Sequence, residues 1–67
     1  MPTKLQISNF IKSIKKDYPE KVIKRWSYIL LEREKKTHYA KIADELKVTR
    51  QRIKQIETFL IKKMSEH

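Results

Sequence analysis

The sequence predicts an all-α protein of four helices with no strands, on three observations. Apolar residues recur at steps of three and four along most of the chain, and nothing alternates with period two over a useful length. The chain also has no glycine among its 67 residues, which disfavours tight hairpins built on Asn-Gly, Asp-Gly or Gly-first turns. A chain of this length forms one domain, residues 1–67, and buries only about 60 per cent of the surface its unfolded form exposes. Its core is therefore small and a deep substrate pocket is not expected.

The first helix is expected from about Thr3 to Lys16, with Leu5, Ile7, Phe10, Ile11, Ile14 and Tyr18 on its apolar side. Asp17 and Glu20 then form an acidic variant of the capping signature, with Pro19 inside the first turn of the next helix. The stripe of that second helix is Val22, Ile23, Trp26, Ile29 and Leu30, and it fades into Glu32-Arg33-Glu34-Lys35-Lys36, with a break near Lys35 to Thr37. These two helices, within residues 1–36, support the rest. A short third helix follows, capped by Thr37 or His38, with Tyr39, Ile42, Ala43 and Leu46 on one side. Thr49 supplies the next cap oxygen, and the last helix runs from about Arg50 to Met64 with Ile53, Ile56, Leu60 and Met64 facing inward.

Composition narrows the function. With 17 Lys plus Arg against 8 Asp plus Glu, the net charge of +9 asks for a polyanionic partner, either nucleic acid or an anionic membrane face. No apolar run approaches the roughly 20 residues that span a bilayer, and Met-Pro-Thr-Lys begins no signal peptide, so a soluble, uncleaved protein is expected. The chain has no cysteine, which fits a cytoplasmic location and excludes thiolate metal sites and disulfides. Catalytic and metal sites are not expected. The serines, His38, His67, Asp17 and Asp44 show no triad or ligand spacing, and Glu32, Glu34 and Glu57 are expected as surface partners of nearby lysines. Neither a glycine-rich phosphate loop nor a dinucleotide fingerprint can be built, so no cofactor is expected.

Residues 39–58 match the helix-turn-helix pattern. Ala43 is the small residue at closest approach, and Ile42, Leu46, Val48, Ile53 and Ile56 fill the apolar positions, with Val48 plugging the turn. The helix after that turn opens with Arg50-Gln51-Arg52-Ile53-Lys54-Gln55, whose side chains suit base edges and phosphates. Asp and Glu are absent from 46 to 56, so a phosphate backbone would supply the negative charge that the helix N-terminus lacks.

The run from Tyr39 to Glu57 resembles the helix-turn-helix of the C-terminal promoter-binding domain of bacterial sigma factors. Val48-Thr49-Arg50, Arg52-Ile53 and Gln55-Ile56-Glu57 match that pattern position by position. The resemblance covers residues 37–64, extends loosely over 19–36 and leaves 1–17 unplaced. It implies double-stranded DNA as partner, bound at an element like the minus-35 hexamer, with Arg50, Gln51, Lys54 and Gln55 at the base-contacting positions. His38, Tyr39, Thr49 and Arg52 would lie at the DNA backbone. Gln51 stands where the family usually has Glu, and Lys54 where it often has Arg, so the preferred sequence is expected to differ from the usual hexamer. Lys47 stands where the motif usually has glycine, which predicts a lysine held at φ > 0.

A complete sigma factor also needs a domain that melts the start site, for which 67 residues leave no room. The resemblance therefore implies a lone domain working with RNA polymerase or a sigma-like partner subunit, a phage or mobile-element regulator built from the same module, or a DNA-binding protein with no polymerase contact. In the family the first helices dock on polymerase. Trp26, Tyr28, Ile29 and Leu31 cannot all face one core, which makes them the candidates for a partner-binding surface. An interaction module with little DNA contact is the alternative reading.

Overall fold

A computed structural model describes residues 3–66 and contains α1 (Lys4–Ile14), α2 (Glu20–Glu34), α3 (Tyr39–Leu46) and α4 (Arg50–Ser65), with no strand among the described residues. Pro2 and Met1 at one end and His67 at the other lie outside the described residues. α2 packs against each of the other helices, α3 packs against α4, and the C-terminal end of α4 lies beside α1, where Phe10, Ile61 and Met64 line a shared depression. The core between them is almost wholly aliphatic. Ile7, Phe10, Ile14, Ile23, Ile29, Leu30, Ile42, Ala43, Ile53, Ile56 and Leu60 are buried, and the predicted stripes supply all of them.

Two expectations near the start of the chain are corrected. Leu5 is 70% exposed, because two residues before Ile7 is a rotation of about 200° and points away from the core. The start of α1 is instead fixed by a capping box, in which the Thr3 hydroxyl accepts from the Gln6 N–H at 3.2 Å and the Gln6 side chain accepts from the Thr3 N–H at 2.8 Å. Asp17 does not cap α2. Its N–H closes a turn onto the Ile14 carbonyl at 2.9 Å, and Pro19 is the N-cap of α2, without a side-chain hydrogen bond. The reason lies in Pro19 itself: its ring keeps Tyr18 out of the helical region, so no helix can start before it.

The ends of α2 and α3 are built alike. After α2, Lys36 takes φ 67°, Lys36 N–H donates to the Arg33 carbonyl at 2.9 Å and Thr37 N–H donates to the Glu32 carbonyl at 2.9 Å. After α3, Lys47 takes φ 57°, Lys47 N–H donates to the Asp44 carbonyl at 3.3 Å and Val48 N–H donates to the Ala43 carbonyl at 3.0 Å. Both are Schellman motifs, which normally place glycine at the left-handed position. The expected left-handed turn at Lys47 is present, and Lys36 is a second one that the charged run around it did not mark. Each lysine bears the Cβ strain, roughly 1 kcal/mol, at a position just past the C-terminal, negative end of a helix dipole, where a cation is favourable. Lys36→Gly and Lys47→Gly are each expected to stabilise the fold by roughly 0.5–1 kcal/mol, measured by urea unfolding. A loss of stability in both would show that the lysine charges outweigh the strain.

Candidate nucleic-acid interface

α3 and α4 pack against each other, and Ile42 and Ile53, both 0% exposed, join Ala43 in the core cluster. Val48 packs half-buried against this core from the turn. His38 is the exposed N-cap of α3 and makes no side-chain cap bond. Thr49 caps α4, its hydroxyl accepting from the Arg52 N–H at 3.1 Å. Neither α3 nor α4 has an acidic residue in its first turn.

Because Ile53, Ile56 and Leu60 fix the inward side of α4, its other residues have determined directions. Gln51, Gln55, Thr58 and Lys62 form an exposed outward line. Arg50 and Lys54 flank it toward α3, where with His38, Tyr39, Ala40 and Gln51 they line one shallow depression. Arg52 lies on the opposite flank. All four predicted base-contacting residues are thus exposed on one end of α4, with Thr49 as its N-cap and His38 and Tyr39, the N-cap and first residue of α3, beside it. The exposed surface of α4 from Arg50 to Ser65 carries no carboxylate, since its one acidic residue, Glu57, is buried.

Glu57 corrects the expectation of a surface ion pair. It is 7% exposed, accepts from Arg33 Nε at 3.0 Å and accepts from the Tyr39 hydroxyl. Arg33 also donates from Nη1 to the Thr37 carbonyl at 2.6 Å, and its guanidinium lies 3.9 Å from the centre of the Tyr39 ring. One carboxylate therefore ties together the end of α2, the connection to α3 and the middle of α4. A signal for this was present, because Ile53, Glu57 and Leu60 share a helix face at steps of four and three. Tyr39, a predicted backbone contact, is half-buried with its hydroxyl engaged, and the Lys54 ammonium lies 5.2 Å from its ring centre. Glu32 behaves as expected, pairing with Lys35 at 3.2 Å.

The hydrogen bond to Glu57, reinforced by burial, raises the Tyr39 hydroxyl above its ordinary pKa. The folded pKa exceeds the unfolded one, so this contribution to stability is complete below about pH 10 and disappears as pH rises through the folded value. Tyr39→Phe is expected to be less stable than the parent at pH 8, with the gap closing above pH 10, in unfolding titrations at several pH values. A gap that does not change with pH would contradict the assignment.

The partner-binding candidates separate. Ile29 is 0% exposed and cannot meet a partner, because it lies on the same α2 face as Leu30 and Ile23. Trp26 is half-buried, with ring centres 4.8 Å from Tyr18 and 5.8 Å from Phe59. Tyr28, whose hydroxyl donates to Glu45, and Leu31 line a groove between α1 and α2 together with Ile7, Ile11 and Ile23. Among the described residues no group of three or more His, Cys, Asp or Glu is placed to hold a metal ion, and no helix is long and apolar enough to cross a membrane. Comparison of the chain with protein-family models, with curated proteins and with solved structures returned no match.

Proposed function

We propose that this chain is a sequence-specific DNA-binding protein of transcription, acting in the cytoplasm, with α4 entering the major groove. The observation that carries this reading is the carboxylate-free outward surface of α4, where Arg50, Gln51, Lys54 and Gln55 project from a helix-turn-helix crossing. An α-helix fits the major groove, where Arg and Lys reach guanine O6 and N7 and Gln pairs with adenine N6 and N7. His38, Thr49 and Arg52 meet the phosphates on either side, and Tyr39, its hydroxyl engaged by Glu57, offers them its backbone N–H at the start of α3. The resemblance to the promoter-binding domain of sigma factors supports a minus-35-like element as target, reached with or without RNA polymerase or a sigma-like partner.

Binding of a labelled duplex over a salt series tests this. Each neutralised phosphate contributes a slope of about −0.9 in log K against log salt, so a steep linear loss of affinity is expected. A second reading has its own observation: the apolar groove between α1 and α2 suits a partner segment, in a module that scarcely touches DNA. Affinity for polymerase that is insensitive to salt, with no measurable DNA binding, would favour that reading.

A further inference from the structure

We infer that Thr58, with Phe59 beside it, selects thymine, its methyl group meeting the C5-methyl of a thymine in the major groove. This inference rests on the DNA-binding reading above and adds a residue and a base that it does not assign.

Position is the first observation. Gln51, Gln55 and Thr58 follow one another at steps of four and three on the exposed outward line of α4. Seven residues of helix separate Gln51 from Thr58, a rise of about 10.5 Å, or about three base-pair steps. A helix that reads bases with Gln51 and Gln55 brings Thr58 to the next step of the same groove.

The second observation is chemical. The Thr58 hydroxyl donates to the Lys54 carbonyl at 2.9 Å, a bond back to the helix's own backbone. What the side chain then offers a partner is its methyl group. Phe59 is 46% exposed, and it lines a single shallow depression with Gln51, Lys54, Gln55 and Thr58. The recess is apolar at the Thr58–Phe59 end and donor-rich at the other. Thymine presents this same pair of features in the major groove: a C5-methyl, and beside it O4 as an acceptor for the Gln55 amide or the Lys54 ammonium.

The test uses the duplex enriched from a random pool, in which each thymine is replaced in turn by uracil, a change that removes the methyl alone. Binding of the parent protein is expected to fall about fourfold at one thymine or more, the equivalent of one methyl left unburied. Thr58→Ser keeps the hydroxyl and loses the methyl, so it should bind the thymine and uracil duplexes alike. Thr58→Val keeps the methyl and loses the hydroxyl, so it should retain the penalty. Thermal unfolding establishes that both variants are folded. A parent protein indifferent to uracil at every position, or a Thr58→Ser variant that keeps the penalty, overturns the inference and leaves the DNA-binding reading standing. Failure to enrich any sequence overturns both.

Discussion

Glu57→Ala is expected to lower the unfolding free energy by about 3 kcal/mol, the largest effect of any single substitution away from the aliphatic core. Removing the carboxylate leaves the Arg33 guanidinium and the Tyr39 hydroxyl without their shared acceptor, in a site where Glu57 is 7% exposed. Breaking a buried pair in this way costs more than the pair itself contributes, because Arg33, its side chain only 20% exposed, keeps the Thr37 carbonyl as an acceptor but loses its carboxylate. A domain this small has only a few kcal/mol in total, so much of the variant should be unfolded at room temperature. Helical circular dichroism and Trp26 fluorescence report the transition. Glu57→Gln keeps an acceptor for Tyr39 and should lose about half as much. Unfolding of Glu57→Ala within about 0.5 kcal/mol of the parent would remove the network from any account of the fold.

The second large effect concerns DNA. Gln55→Ala is expected to weaken the preferred duplex by about 1–3 kcal/mol while leaving unrelated duplexes nearly unchanged, which relaxes base preference. Arg52→Ala should weaken all duplexes by a similar factor and reduce the salt slope by about one, as expected for a phosphate contact. The two residues lie on different sides of α4, Gln55 on the outward line and Arg52 on the flank away from α3, so their effects should separate. Gel-shift titrations at two salt concentrations on two duplexes are sufficient. Equal losses from both variants, indifferent to sequence and to salt, would contradict the roles assigned to α4.

The helices were legible because apolar periodicity reports which side of each helix is buried, and a core made almost entirely of isoleucine, leucine and phenylalanine obeys that signal closely. The turn at Lys47 was legible because the motif fixes its backbone conformation even when glycine is missing. What escaped reading was set by contacts rather than by spacing. Pro19 dictated the start of α2 through its effect on Tyr18, against the apparent capping signature at Asp17. The charged run marked the end of α2 near Lys35 to Thr37, but not that Lys36 closes it at φ > 0. Glu57 belongs to the inward side of α4 by spacing, yet a carboxylate reads as surface until Arg33, twenty-four positions away in sequence, is known to reach it. In the candidate interface, the exposure of Arg50, Gln51, Lys54 and Gln55 followed from the apolar stripe opposite them. The engagement of Tyr39 by Glu57, and the burial of Ile29 among the partner candidates, needed the packing of three helices.

Selection from a pool of random-sequence duplexes tests the central claim most directly. If α4 reads the major groove, repeated rounds should enrich a short common sequence, with binding sensitive to groups on the major-groove edges of those bases and to substitution of Arg50, Gln51, Lys54 or Gln55. A pool that stays random after selection, with binding unaffected by those four substitutions, would contradict it.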